Sequence, residues 1–356
     1  MLFCLLSIVF SIALQVPANL DQAAVPAQYE HYLELVHGPL TQGKESFLKE
    51  TSAQITQAKI EYAQLLNLYY KKDITEDSFL AQSKELGLLL ENEQGFDAIY
   101  TQYRYVYENP GNRYFIATNG WALLLSSNFA SSFLLLIFLA VLSIPVFCSE
   151  YRCRMEQIAL TTARGSDTYG GDKIRLMLLF SLFAVCWQEG VTFLQALSLY
   201  GLPDCTAPLQ SVAAFASCTK ALSLWQAYTL LFLCRLIGAI LFSLLTLLAA
   251  TWIKAFVPTI FTALVLAFLP PLALSEELQY HLPLPTSYLH AVSFLQGPSE
   301  FQNELGETVV TFHELSILGV AALLLLGVLL CILCFYEIRK GNRNVCLRKS
   351  KFPRSA

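Results

Sequence analysis

Apolar residues along this chain fall into two patterns, long continuous runs and short stripes at helical spacing. Five runs, 121–148, 176–202, 221–253, 255–275 and 315–336, are almost free of Asp, Glu, Lys and Arg. Each is at least as long as the roughly 20 residues a helix needs to cross a hydrocarbon core. The pattern predicts an all-α integral membrane protein in which these runs are membrane spans. A sixth run, 1–16, is short for a span and has no Lys or Arg before it. Two readings of it stand: a first transmembrane helix whose cytoplasmic start lies outside this chain, or a cleaved signal peptide ending near Ala18. The missing basic start favours the helix. On either reading the residues that follow lie outside, and with 1–16 taken as a helix six spans in all are expected.

Residues 17–120 carry the stripes and predict an external helical domain. Between Glu45 and Tyr70, Phe47, Ile55, Tyr62, Leu66 and Tyr69 recur on one face, with Lys and Glu on the other. A second helix is expected from Thr75, an N-cap with Glu76 and Asp77 in the first turn, where the helix dipole favours acids. Its stripe is Phe79, Leu86 and Leu90, continued after Gly95 by Phe96, Ile99, Tyr103 and Val106, and Pro110-Gly111 ends it. Two stripes joined by a short connection predict an antiparallel helical hairpin. A spacer and a substrate-binding module fit this pattern equally well.

Charge then orients the spans, because Lys and Arg accumulate on the cytoplasmic side. Segment 149–175 carries Arg152, Arg154, Arg164, Lys173 and Arg175, and the tail 337–356 adds Arg339, Lys340, Arg343, Arg348, Lys349, Lys351 and Arg354. Both read as cytoplasmic. Loop 276–314 holds six carboxylates and no Lys or Arg, so it reads as external. One alternating path satisfies these constraints and places Lys254, in a tight turn between the fourth and fifth spans, inside. The net charge of −4 therefore hides an acidic exterior and a basic cytoplasmic face, and it supports no nucleic-acid role.

Within 149–175, Tyr151, Met155, Ile158 and Ala159 alternate at helical spacing with Glu150, Arg152, Arg154 and Glu156. That describes a short amphipathic helix at the membrane surface, stopped by Gly165, with 167–172 turning towards the next span. Such a helix can dock into a soluble partner, or serve as an ordinary loop with basic anchors. The run FCSEYRCRMEQIALTTARGSDTYGGDKI, 147–174, resembles the first intracellular loop of type-2 ABC exporter permeases. Glu150, Ile158, Leu160, Thr161, Thr162, Arg164 and Lys173 match its order: a Glu ending one span, a short helix, an aliphatic pair, a Thr-rich turn with Arg, and a Lys opening the next span. Arg154 departs from the pattern, standing where many members carry Gly. The stretch YEHYLELVHGPLTQGKESFL, with its Gly-Pro-Leu-Thr turn at 38–41, is similar to the extracellular region that many bacterial members place between spans one and two.

The resemblance implies a permease subunit in the plasma membrane, with its C-terminus in the cytoplasm. It also implies that Glu150, Arg154, Ile158, Leu160, Arg164 and Lys173 couple it to a separate ATP-hydrolysing subunit, and that a second permease chain completes the path. ATP and Mg would then sit on the partner. No Gly-x-x-x-x-Gly-Lys-Ser/Thr loop occurs in this chain, and Gly170-Gly171-Asp172-Lys173 is too short to cradle phosphates. The alternative from another class is a membrane sensor or assembly protein whose external domain binds a ligand or partner.

Other chemistry is sparse. His31, His37, His281, His290 and His313 all fall on the expected external side without His-x-x-x-His spacing, so solvated loop residues are expected rather than a metal site. Cys331 and Cys334 lie inside an apolar span and read as packing. Cys205 and Cys218 share an external loop where a disulfide is permitted, with two unpaired thiols as the other outcome. Inside the membrane, Glu189 is the only acid of the third span and Arg235 the only base of the fourth. Both lie roughly 14–16 Å from the outer ends of antiparallel spans at 1.5 Å per residue, so they can face each other. A break at Gln188-Glu189-Gly190 that lets Glu189 reach water is the other reading.

Overall fold

The computed structural model describes residues 27–71, 74–91, 93–108, 113–126, 129–153, 165–273, 284–297, 299–302, 308–311 and 324–336. The first apolar run, 1–16, and the basic tail, 337–356, lie outside the described residues. The chain is mostly helical and divides into two compact units. One holds the described residues up to Ala122 together with Tyr200–Trp225; the other holds Leu123–Leu199 and the described residues from Gln226 onward. Segment 200–225, which includes the connection 203–220 that the apolar pattern leaves between spans and the ends of both runs, thus belongs to the first unit.

In the first unit, α1 (Ala27–Val36), α2 (Gln42–Tyr70), α3 (Glu76–Glu91) and α4 (Glu93–Glu108) pack with α3 along α2 and α4 along α1. Tyr29, Val36, Leu48, Ile55, Phe96, Ile99, Tyr103, Val106 and Phe115 form its core. Acidic first turns suit the dipoles of α2 (Glu45) and α3 (Glu76, Asp77), and stacking of Tyr69 on Phe79, 4.7 Å between centroids, closes the α2–α3 connection. An ion pair between Lys59 and Glu93 ties α2 to α4. The second arm of the expected hairpin is described as α3 and α4, with Asn92 between them outside the described residues, and Tyr69–Phe79, Lys59–Glu93 and Glu45–Tyr103 join it to α2 in one antiparallel order. The α2 face that is buried is different from the one expected: Leu48, Ile55, Ala58 and Leu65, with Phe47, Tyr62, Leu66 and Tyr69 only half-buried. Apolar side chains lie on more than one face of α2, and burial goes to the face that meets its neighbours. The α4 stripe Phe96, Ile99, Tyr103 and Val106 is buried throughout.

A short antiparallel ribbon of β1 (Gly38–Pro39) and β2 (Tyr114–Phe115) fixes the ends of this unit, pairing Gly38 with Phe115 and Pro39 with Tyr114. Two-residue strands leave no alternation to read in the sequence. Segment 200–225 is held by its own ladder, in which Leu209 N donates to Leu222 O at 2.8 Å and Leu224 N to Ala207 O at 2.9 Å. The buried Gln210 amide donates to Cys218 O and Lys220 O, bracing the two 3₁₀ turns Leu209–Ser211 and Ala213–Phe215. Tyr105 on α4 donates to Ser211 O at 3.2 Å. Burial pushes this phenol's pKa up, so it stays a donor across the physiological range. Gly120 is required where α5 (Asn119–Leu125) starts, since a Cβ there would collide with Gly201 O.

The second unit contains α6 (Phe129–Cys153), α7 (Gly165–Leu199), α8 (Leu224–Ile253, entering at Gln226), α9 (Phe256–Ala273), the one-turn helix α10 (Pro285–Leu289) and α11 (Leu324–Tyr336). Two stretches, Gly171–Leu199 and Leu224–Ile253, are long and apolar enough to cross a membrane; Ser132–Val146, Phe256–Leu269 and Leu324–Tyr336 are shorter apolar helices. The run 121–148 is not one helix, because α5 ends at Leu125 and α6 begins at Phe129. Ser126 follows the end of α5, its hydroxyl donating back to Leu123 O at 2.8 Å, and such side chains compete with the helix for backbone hydrogen bonds. The turn expected at 167–172 is also corrected: α7 already begins at Gly165.

α8 is the centre of this unit. Its Ser243 and Arg235 meet α7, its Thr246 meets α6, its Leu244 carbonyl meets Cys334 of α11, and Gly238 lies against α10. A Cβ at Gly238 would stand 2.7 Å from Pro285 O, so the close approach of α10 depends on that glycine. Lys254, at φ 58°, takes the left-handed turn between α8 and α9, its amide donating to Ala250 O at 3.0 Å. Loop 276–314 is not wholly solvated: Pro285, Thr286, Ser287, Tyr288 and Leu289 are buried, and a ribbon of β3 (Ser299–Gln302) and β4 (Thr308–Thr311) follows.

Candidate functional site: a buried ion pair between apolar helices

α7 runs unbroken through Gln188-Glu189-Gly190, so Glu189 does not reach water by a helix break. The Glu189 residue is 5% exposed, and the Arg235 side chain 12%. Arg235 Nη1 donates to both carboxylate oxygens of Glu189, at 2.7 Å and 2.8 Å, while Nη2 donates to Ser126 O at 2.9 Å. One guanidinium thereby joins α7, α8 and the carbonyl just beyond α5. A planar fork of fixed donors can do this, whereas a Lys ammonium would not hold the same geometry.

Short hydroxyl side chains extend the polar line. Ser181 Oγ and Ser243 Oγ lie 2.7 Å apart. Ser181 is eight residues before Glu189 and Ser243 eight after Arg235, so both rungs obey one antiparallel register. At 1.5 Å per residue they are about 12 Å apart along the helices. The serine rung requires close backbones, and the longer Glu and Arg side chains bridge a wider gap. Ser143 and Thr246, 3.1 Å apart, link α6 to α8, and Cys148 and Thr259, 4.0 Å apart, link α6 to α9. Ser143, Ser181, Ser243, Thr246 and Thr259 also lie within hydrogen-bond distance of carbonyls three or four residues back, so in each facing hydroxyl pair one member donates across the gap while the other donates within its own helix. Gln188 Oε1, beside the ion pair, is buried and accepts no hydrogen bond among the described residues.

A pair in this setting is costly to half-remove. Both charges have left water, and each is compensated chiefly by the other; deleting one partner of a buried pair typically costs roughly 3–5 kcal/mol. The arrangement can lock helix packing, and it can present a charged element to a polar solute that enters the bundle. The hydroxyl rungs escaped the sequence reading. Their only signal is the matched eight-residue offset from two charges, which becomes meaningful once α7 and α8 are known to be antiparallel neighbours.

The coupling residues are distributed differently. Glu150 lies in the last turn of α6, and Lys173 lies within α7, buried, near the start of the apolar stretch Gly171–Leu199. Arg154, Ile158, Leu160 and Arg164 lie outside the described residues. Cys205 and Cys218 are not bridged, which corrects the disulfide: Cys205 is exposed with its thiol on Leu202 O, while Cys218 is buried with its thiol on Lys220 O. The loop is closed instead by its backbone ladder and Gln210. His37 is exposed and meets Asp204 Oδ2 at 2.5 Å, His31 is exposed, and His290 is half-buried, so it is not the solvated loop residue expected. His281 and His313 lie outside the described residues. Among the described residues no group of three His, Cys, Asp or Glu side chains converges as metal ligands would. No family model matches this chain, and no curated protein or solved structure does.

Proposed function

We propose that this chain is the permease subunit of an ATP-driven exporter, a six-span plasma-membrane protein with a cytoplasmic C-terminus. The observation that carries its membrane part is the inverted polarity of the second unit. Leu179, Phe183 and Leu194 on α7, Leu233 and Trp252 on α8, and Phe261 and Val265 on α9 face outward, while Glu189, Arg235 and a series of Ser and Thr hydroxyls are inside. Water disfavours so large an apolar surface, and lipid accepts it; buried hydroxyls and ion pairs are the contacts that hold helices together when the surroundings are apolar.

The exporter part rests on the resemblance of 147–174 to the coupling loop of type-2 ABC permeases and on the absence of a phosphate-binding loop from the sequence. On this reading a solute moves along a path between two permease chains. ATP and Mg act on the partner subunits, and the segment after α6 transmits their state. Glu189 and Arg235 fix the α7–α8 packing and offer a polar element to that path. The alternative, a membrane sensor or assembly protein, keeps the same spans and assigns the work to the first unit.

Co-purification separates the two. The chain, expressed with the ATP-hydrolysing protein encoded beside it, is expected to form a stable complex whose ATP turnover rises with the transported solute. A neighbouring kinase or regulator that binds in its place would favour the sensor.

A further inference from the structure

A second site lies in the first unit, away from everything the transport reading uses. Arg113, Tyr114, Thr206, Pro208, Ala221, Leu222 and Ser223 line a cavity of about 370 Å³. Its framework is rigid. The Arg113 carbonyl accepts from Leu40 N at 3.0 Å, which fixes the start of β2, and the opposite wall is the ladder that pairs Pro208 with Ser223.

The chemistry of this cavity is that of an anion receptor. The Arg113 guanidinium stacks over the Tyr107 ring at 4.7 Å, and Lys49 Nζ lies 5.6 Å from the centre of the same ring, so two cations meet one aromatic side chain. Arg113 Nε is buried and has no hydrogen-bond acceptor among the described residues. The carboxylate within electrostatic reach, Glu45, is hydrogen-bonded by Lys49 at 2.6 Å and acts on Arg113 only through space. Guanidinium is a fork of five donors matched to a planar oxyanion. Thr206 and Ser223 add hydroxyls to the lining, and Pro208, Ala221 and Leu222 add an apolar wall.

We propose that this cavity binds a small organic acid, its carboxylate on Arg113 with Thr206 beside it, and its apolar body against Pro208 and Leu222. The site stands whether or not the chain transports anything. A cavity of this volume holds a molecule of amino-acid size and excludes a folded partner.

The test is calorimetric titration of the full-length chain in detergent with N-acetyl-leucine, alongside N-acetyl-leucinamide and inorganic phosphate. N-acetyl-leucine is expected to bind saturably, the neutral amide not to bind, and phosphate, which lacks the apolar body, to bind at least tenfold more weakly. Arg113→Gln is expected to weaken N-acetyl-leucine at least tenfold. Thr206→Val keeps the side chain's shape and is expected to weaken it several-fold with the melting temperature unchanged, so it decides the matter if Arg113→Gln fails to fold. No saturable binding of N-acetyl-leucine, equal binding of the amide, phosphate binding as tightly, unchanged affinity in a folded Arg113→Gln, or unchanged affinity in Thr206→Val overturns the proposal.

Discussion

Glu189 and Arg235 are the residues at which the physics is most exacting. Their bonds at 2.7 Å and 2.8 Å compensate two charges that their buried, apolar surroundings would otherwise penalise heavily. Glu189→Gln and Arg235→Gln are each expected to cost roughly 3–5 kcal/mol and to lower folded yield. The double variant is expected to recover much of that loss, as read by yield in detergent and by thermal melting. Additive losses would mean that the pair is not coupled. Recovery should be incomplete, because Arg235 also donates to Ser126 O and its replacement leaves that carbonyl without this donor. Two thiols give a second residue-level outcome. Cys205 and Cys218 point at different carbonyls, so both are expected to take an alkylating label in the unreduced, denatured protein. A disulfide-linked peptide in the mass spectrum would contradict this.

Among elements, α8 carries most of the arrangement, and two of its contacts make distinct predictions. Ser181→Ala removes one hydroxyl from the serine rung, yet Ser243 still donates to Ala239 O at 2.8 Å. The cost is therefore expected to be small, about 0.6 kcal/mol as for typical hydrogen bonds between membrane helices. Gly238→Val is expected to be much worse, since even a Cβ there meets a backbone oxygen at 2.7 Å and α10 must move away. Proteolysis near Pro285 in the variant, absent from the wild type, would report that displacement; identical cleavage would show that α10 does not rest on Gly238. The elements also show what a linear sequence conceals. The long apolar runs over α7 and α8 were legible because their composition alone demands burial or lipid. The facing of Glu189 and Arg235 was legible because each is a lone charge at matched depth. The serine rungs, the β1–β2 ribbon and the buried α10 were not, since each depends on a partner remote in sequence and leaves no period of its own.

For the whole molecule, the division into two units separates two kinds of chemistry. The first unit is held by an aromatic-rich core and a braced loop; the second turns apolar faces outward and hydroxyls inward. The sequence pattern set the boundary near 120 and missed that 200–225 returns to the first unit, because a polar connection between spans looks alike whether it folds locally or joins a distant helix pair. The central claim, that this chain couples to an ATP-hydrolysing subunit through the segment that follows α6, is tested most directly by membrane recruitment. An ATP-hydrolysing protein encoded by a neighbouring gene would be produced with the wild-type chain and with a Glu150→Lys, Arg154→Glu double variant, and the membrane-bound fraction measured after confirming equal insertion. The account predicts recruitment by the wild-type chain and loss of most of it in the double variant. An ATPase that stays soluble with the wild type, or binds the charge-reversed chain equally well, would contradict it.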